Sequence, residues 1–311
     1  MPARSIAYFI FKEEITKTMS SMYFSLSSFE ITKNVLQTTL VGNKKILEVY
    51  DNRFPFSYFN VSYDEYTKSI EHFKRKIYER TIVDLISIIE NYCYDVLFRI
   101  FVLNPEIIKD EKAQTTFSEL YTFSEGRNIF LGLCENLVQN KLRNKKTTEM
   151  LEQIGKYAKS GYITSLKDEF NKIEYYSLIR NSIVHNDSYV TNDILKKNYP
   201  QFTSLSQKIN VDHQMCVDLS QSMYALIDEF EIMYNQNVVK DNDACAIICE
   251  LYIEKGLEAP AAIKPCLNKL LGVKIKNELI TSSIAKIKRK IDIIQHVHYQ
   301  DKARRIIQNF I

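Results

Sequence analysis

Arg180, Asn181 and His185 stand in one short run, Ile179-Arg180-Asn181-Ser182-Ile183-Val184-His185-Asn186-Asp187. On a helix turning about 100° per residue, Asn181 and His185 are one turn apart on the same face. Arg180 lies about 140° from His185, and its long side chain still reaches a common point. Ser177 falls on the side of Asn181, whereas Tyr175, Tyr176, Ile179 and Ile183 point towards a core. A guanidinium is always charged and presents a planar fork that matches phosphate. An imidazole gives or takes a proton near neutral pH. Together they suffice to cleave RNA without carboxylate pairs or metal ligands. A base removes the 2′-OH proton, the oxygen attacks its own phosphodiester, and a cation steadies the charge that gathers at phosphorus. DNA has no 2′-OH and is inert to that route. The plainer alternative is that His185 closes a helix end, where an imidazolium suits the dipole. Against it, the chain has 11 Arg and 30 Lys, so an Arg in the otherwise uncharged stretch Tyr175–Asn186 is a less casual choice.

The elements that must position this run are helical. Ile82, Ile86, Ile89, Cys93, Val96, Ile100 and Leu103 recur at 4,3,4,3 spacing, one stripe of a helix. Asp64 is a candidate N-cap and Asn104-Pro105 a stop. Such a helix of about 38 residues spans roughly 55 Å and would form the spine of a bundle. Thr147/Thr148 open a further helix that Ser160-Gly161 ends. The motif helix runs from Leu166 to about His185, closed by the turn chemistry of Asn186-Asp187-Ser188. Met215–Tyr234 is the third strong helix. Residues 1–64 are ambiguous: Ile6–Phe11 and Lys45–Tyr50 read as short strands or short helices, and a small strand pair is one expectation. Gly42-Asn43 reads as a turn and Asn52–Pro55 as a break. The segments are therefore 1–64, a bundle at 65–235 with an insertion at about 106–148, and a helical region at 236–311. In that last region Asp241 or Asp243 caps a helix to about Lys255. Pro260 opens another to Leu271, which Pro265 is expected to limit. Asn277–Val297 and Lys302–Phe310 complete it.

Composition agrees with an all-α protein. Seven Gly and six Pro in 311 residues are too few for a turn-dense β-sandwich. No glycine-rich phosphate loop is present. Hydrophobic residues at 45% and charged residues at 25% exclude a disordered chain. Six cysteines without a framework spacing point to a reducing, cytoplasmic setting. The opening MPARSIAYFIFKEE is too short in its apolar run for a secretory signal. Residues 82–103 carry Asp84, Glu90, Asp95 and Arg99, which argues against a membrane span.

Arg180-Asn181-x-x-x-His185 resembles the R-x(4–6)-H motif of the HEPN superfamily (higher eukaryotes and prokaryotes nucleotide-binding domain). The context over residues 65–235 is similar too: a long first helix with an internal Glu90, an Asn-Pro stop, the motif near the end of a later helix, then one more amphipathic helix. The resemblance implies a metal-independent endoribonuclease that needs no cofactor. It further implies a homodimer whose two motifs meet in one composite cleft, working in anti-phage or toxin–antitoxin defence with an RNA substrate and an antitoxin or defence partner. It assigns Arg180 to the phosphate, His185 to proton transfer and Asn181 to orienting one of them. Glu90 matches the family's first-helix acidic residue loosely and also reads as a solvated helix residue. A non-catalytic module that binds nucleotide, RNA or protein is the alternative implication. The insertion and both end segments lie outside the resemblance.

Cys245/Cys249 and His296/His298 form no four-ligand zinc spacing and read as core cysteines and surface histidines. Residues 274–311 hold nine Lys/Arg against three Asp/Glu, a net of +6 in a chain of net +3. That basic tail reads as a solvated face, an RNA-phosphate surface or a site for an acidic partner.

Overall fold

The computed structural model describes residues 4–40, 44–49, 60–109, 129–158, 166–271, 275–288 and 300–310. They form an all-α fold of thirteen α-helices and one π-helical turn. Among the described residues, strand pairing is limited to two isolated antiparallel bridges, Lys45–Ser62 and Tyr189–Lys208. The helices are α1 (Ile6–Thr39), α2 (Ile46–Val49), α3 (Tyr63–Leu103), α4 (Pro105–Lys109), α5 (Ile129–Leu142), α6 (Thr147–Tyr157) and α7 (Lys167–His185). Then come α8 (Asn192–Lys196), α9 (His213–Tyr234), the π-helix Asn235–Val239, α10 (Asn242–Lys255), α11 (Pro260–Leu271), α12 (Asn277–Lys288) and α13 (Gln300–Phe310).

The chain packs as two compact units. One comprises Met1–Glu13, Ile88–Glu174 and Ser222–Ile311; the other comprises Glu14–Ser87 and Tyr175–Gln221. The unit boundaries fall inside α1, α3, α7 and α9. These units follow packing, whereas the segments 1–64, 65–235 and 236–311 follow composition along the chain.

The N-terminal strand expectation is corrected: Ile6–Phe11 opens the 34-residue helix α1, and Lys45 makes one bridge rather than a strand. Aromatic, β-branched and hydroxyl residues make up most of α1, and none of them favours a helix intrinsically. Burial supplies the missing stabilisation: Ile6, Phe11, Ile15 and Met22 are each at most 2% exposed. Ser5 caps α1, its Oγ accepting from Tyr8 N–H at 3.1 Å.

The spine helix α3 forms as expected, and its stripe from Ile82 to Ile100 is fully buried. Its cap is corrected from Asp64 to Ser62. Ser62 Oγ accepts from Glu65 N–H, and Glu65 Oε2 accepts from Ser62 N–H at 2.8 Å, a reciprocal capping box. Asn104 ends α3, and Pro105 starts α4 where no N–H is needed. Pro265 does not limit α11, which continues to Leu271. The turns at Gly42-Asn43, Asn52–Pro55 and Ser160-Gly161 lie outside the described residues, as do residues 110–128 of the insertion and residues 289–299.

In the first unit, α10–α13 and Ile6 share a core of Ile247, Leu251, Leu267, Ile280 and Ile306. Helix α13 is also held by charge. Lys302 pairs with Asp95, Arg304 with Glu250 and Glu254, and Arg305 with Glu13. These cations of the basic tail are therefore engaged within the chain. The second unit has a smaller cluster of Leu36, Leu40, Ile46, Tyr66 and Ile70.

Candidate active site

Arg180, Asn181 and His185 occupy the last turn and a half of α7, in the second unit. Tyr176, Ser177, Leu178 and Ile179 are all buried, and four consecutive positions cover the whole circumference of a helix. The expected apolar back and polar front therefore fail before Arg180, and beyond it Ser182 is still fully buried while apolar Val184 is exposed. Ser177, placed on the front by spacing, is 8% exposed. From Arg180 onward α7 comes to the surface: Arg180, Asn181 and Ile183 are half-buried, and Val184 and His185 are exposed.

Arg180 Nη1 donates to Asn181 Oδ1 at 3.0 Å. His185 is the final residue of α7, with its ring in solvent. The pairing of Arg180 with Asn181 is thus direct, and His185 follows Asn181 by one turn.

The chain after His185 is tightly held. Asp187 and Ser188 take left-handed φ values of 45° and 64°. Neither is glycine, so each carries strain of about 1 kcal/mol. Asn186 N–H and Ser188 N–H both donate to Ser182 O at 3.0 Å and close the helix end. Ser188 Oγ donates to Glu79 Oε1 at 2.9 Å, and Glu79 is only 3% exposed. Lys76 Nζ pairs with Glu79 Oε2 at 2.8 Å, and Arg75 Nε approaches Oε1 at 3.6 Å. Lys208 Nζ donates to Asp187 at 3.2 Å and holds that carboxyl below the usual range, with Lys76 and Arg75 adding to the effect. Tyr189 and Val190 run beside Lys208 and Gln207, and Val190 N–H donates to Gln207 O at 3.0 Å. Behind, Tyr175 packs on Tyr199 and Phe202 and accepts from Gln201 Nε2.

Sequence reasoning passed over Arg75, Glu79, Ser188, Tyr189 and Lys208. A signal existed for two of them. Arg75 and Glu79 continue the 4,3,4,3 stripe of α3 backwards, so charges occupy positions where the pattern calls for apolar residues.

Glu90 belongs to the first unit, on α3, where its Oε1 accepts from Thr147 Oγ1 at 2.9 Å. It is half-buried and anchors the start of α6, so it is not simply a solvated helix residue.

No family model, no curated protein and no solved structure matches the chain.

The remaining sequence candidates have structural places. All six cysteines are thiols. Burial pushes the Cys249 thiol up to about 12, and Cys245 Sγ faces Ser283 Oγ at 3.3 Å. His296 and His298 lie outside the described residues. Among the described residues no three His, Cys, Asp or Glu side chains group as metal ligands, and no helix is long and apolar enough to cross a membrane. A groove of about 320 Å³ between α1 and α3 is lined by Lys17, Ser21, Ser25, Ile77, Arg80 and Asp84, and contains none of the motif residues.

Proposed function

We propose that this protein is an endoribonuclease of the HEPN type that cleaves RNA by attack of the 2′-OH on the adjacent phosphorus, without a metal or cofactor. One observation carries the reading: Arg180 is tied to Asn181 at 3.0 Å where α7 surfaces, one turn before the exposed His185. In this reading Arg180 receives the non-bridging phosphate oxygens. Asn181 sets the plane of its fork, and His185 moves the proton to or from the reacting oxygens. The products carry a 2′,3′-cyclic phosphate and a 5′-OH. The ring nitrogens of His185 have no described partner within one chain, and a general base is ordinarily oriented by a second group. A homodimer that brings two motifs together is the arrangement the resemblance implies. A cytoplasmic role in anti-phage or toxin–antitoxin defence belongs to the same reading, as does an antitoxin or defence partner.

The second reading is a non-catalytic module of the same type that binds nucleotide, RNA or a partner protein. Its supporting observation is that Arg180 is half-buried and bonded to its neighbour, an arrangement that also serves packing. Incubation of the purified protein with varied RNAs in EDTA separates the two. Cleavage that yields cyclic phosphate ends and is lost in His185→Ala supports the nuclease. Equal behaviour of wild type and His185→Ala rejects it.

A further inference from the structure

The turn behind His185 displays an aromatic ring on an unusually stiff support. Ser188 and Val190 are buried at 1%, whereas Tyr189 between them is 39% exposed. Both flanking residues are fastened: Ser188 O accepts from Ile209 N–H at 2.8 Å, and Val190 N–H donates to Gln207 O at 3.0 Å. Tyr189 is itself clasped to Asn186. Its N–H donates to Asn186 O at 2.8 Å, and its carbonyl accepts from Asn186 Nδ2 at 3.0 Å. These bonds close a four-residue turn, so Tyr189 stays within about 7 Å of Asn186, the residue next to His185. A large side chain held out by anchored neighbours loses little freedom when a ligand covers it.

The ring has one occupied side. The ammonium of Lys208, its partner across the bridge, lies 5.1 Å from the ring centroid. The same ammonium reaches Asp187, and Lys76 and Arg75 lie within electrostatic reach of that carboxylate. Glu79 partners Lys76 at 2.8 Å and Asp187 partners Lys208 at 3.2 Å, so two ammonium groups and a guanidinium face two carboxylates, and the cluster keeps one net positive charge. Exposed Val184 adds apolar surface beside His185. An aromatic face beside cations is the pattern that holds single-stranded nucleic acid, the base on the ring and the backbone on the charges.

We infer that Tyr189, Lys208 and Lys76 form a nucleotide subsite for single-stranded RNA, with a base stacked on the open face of Tyr189 and the adjoining phosphate taken by the two lysines. The inference rests on the ribonuclease reading of Arg180 and His185 and adds the contacts that hold the strand beside them. Asp187 occupies Lys208 until the phosphate displaces it, and Lys76 keeps its bond to Glu79 while its remaining N–H groups reach the phosphate. Arg75 supports the site from α3.

The test is fluorescence anisotropy with a labelled 2′-O-methyl oligonucleotide, which lacks the attacking hydroxyl and is not cleaved. Tyr189→Leu weakens binding roughly tenfold, whereas Tyr189→Phe keeps the stacking face and binds like wild type. Lys208→Gln lowers the slope of log K against log salt by about one. Asp187→Asn tightens binding by freeing Lys208. Unchanged melting temperatures of these surface variants show that folding is not the cause. Wild-type binding by Tyr189→Leu and Lys208→Gln together overturns the subsite, as does a wild type with no salt-dependent binding. Cleavage of unmodified RNA and its loss in His185→Ala are read separately, so failure of the ribonuclease reading is distinct from failure of the subsite.

Discussion

Ser188 donates its hydroxyl to the buried carboxylate of Glu79 at 2.9 Å, across 109 positions of sequence. This bond anchors the turn that follows His185 to the long helix α3. Glu79→Ala leaves the Ser188 hydroxyl and the Lys76 ammonium without their acceptor. We expect a loss of about 1–3 kcal/mol in urea denaturation, the range for a buried polar group stripped of its partner. Ser188→Ala removes only the donor and is expected to lose about 1 kcal/mol. If the turn also sets His185, RNA cleavage at saturating substrate falls in both variants while they are still folded.

His185→Ala tests the chemistry with little effect on the fold. The side chain is exposed, so stability changes by less than about 0.5 kcal/mol. Cleavage in EDTA is expected to vanish. Arg180→Lys keeps the charge but loses the planar fork and the geometry of the bond to Asn181. A fall of about a hundredfold or more in cleavage rate is expected, measured in single-turnover assays.

Glu231 makes stability depend on pH. It is buried beneath donors from Ser5 N–H, Ser5 Oγ, Tyr92 OH and Asn235 Nδ2. Burial still dominates, and the carboxyl is pushed up from 4.5 to about 7. A carboxyl raised on folding binds its proton more tightly in the native state. Its contribution is therefore full below about 4.5 and is lost as pH rises through about 7. Across that window the wild type is expected to lose on the order of 3 kcal/mol relative to Glu231→Gln, whose profile is flat there. Chemical denaturation at pH 4.5, 6 and 8 reads the difference in slope, whatever constant penalty the amide adds.

Arg99 and Asp243 form a buried ion pair at 2.9 Å, and Asp243 also accepts from Ile6 N–H at the start of α1. Arg99→Met leaves Asp243 as a buried charge without its cation. We expect about 3–5 kcal/mol of destabilisation in denaturant melts. Replacing both, Arg99→Met with Asp243→Asn, restores part of it.

The cations of α13 are expected to act through packing rather than RNA. Arg304→Ala removes the cation beside Glu250 and Glu254 and is expected to lower stability by about 1–2 kcal/mol, discounted because Arg304 is partly exposed. The salt slope of RNA binding is expected to match wild type, since the guanidinium is held by three carboxylates, Glu250, Glu254 and Asp301. A reduced slope in anisotropy titrations would place Arg304 on the RNA instead.

What the sequence determined by itself is what local rules encode. The 4,3,4,3 stripe specified α3, because apolar spacing at the helical period has one buried solution. Asn104-Pro105 and Asn186-Asp187-Ser188 specified the ends of α3 and α7, because proline and turn-forming residues act on their own backbone. The order Arg180, Asn181, His185 was legible for the same reason. Tertiary structure alone decided the rest. Helix α1 is built mostly from residues of weak helix propensity and is supported by the burial of its apolar positions, which short runs such as Ile6–Phe11 do not reveal. Ser177 belongs to a polar face by spacing and to the interior in fact, because neighbouring elements close around α7. Lys302, Arg304 and Arg305 read as part of a solvated or ligand-binding basic face until α13 brings them to carboxylates far away in the chain. Glu79 and Ser188, likewise, have no local pattern that pairs them. Charge and hydrogen-bond partners are chosen by proximity in space, and only the packed chain supplies it.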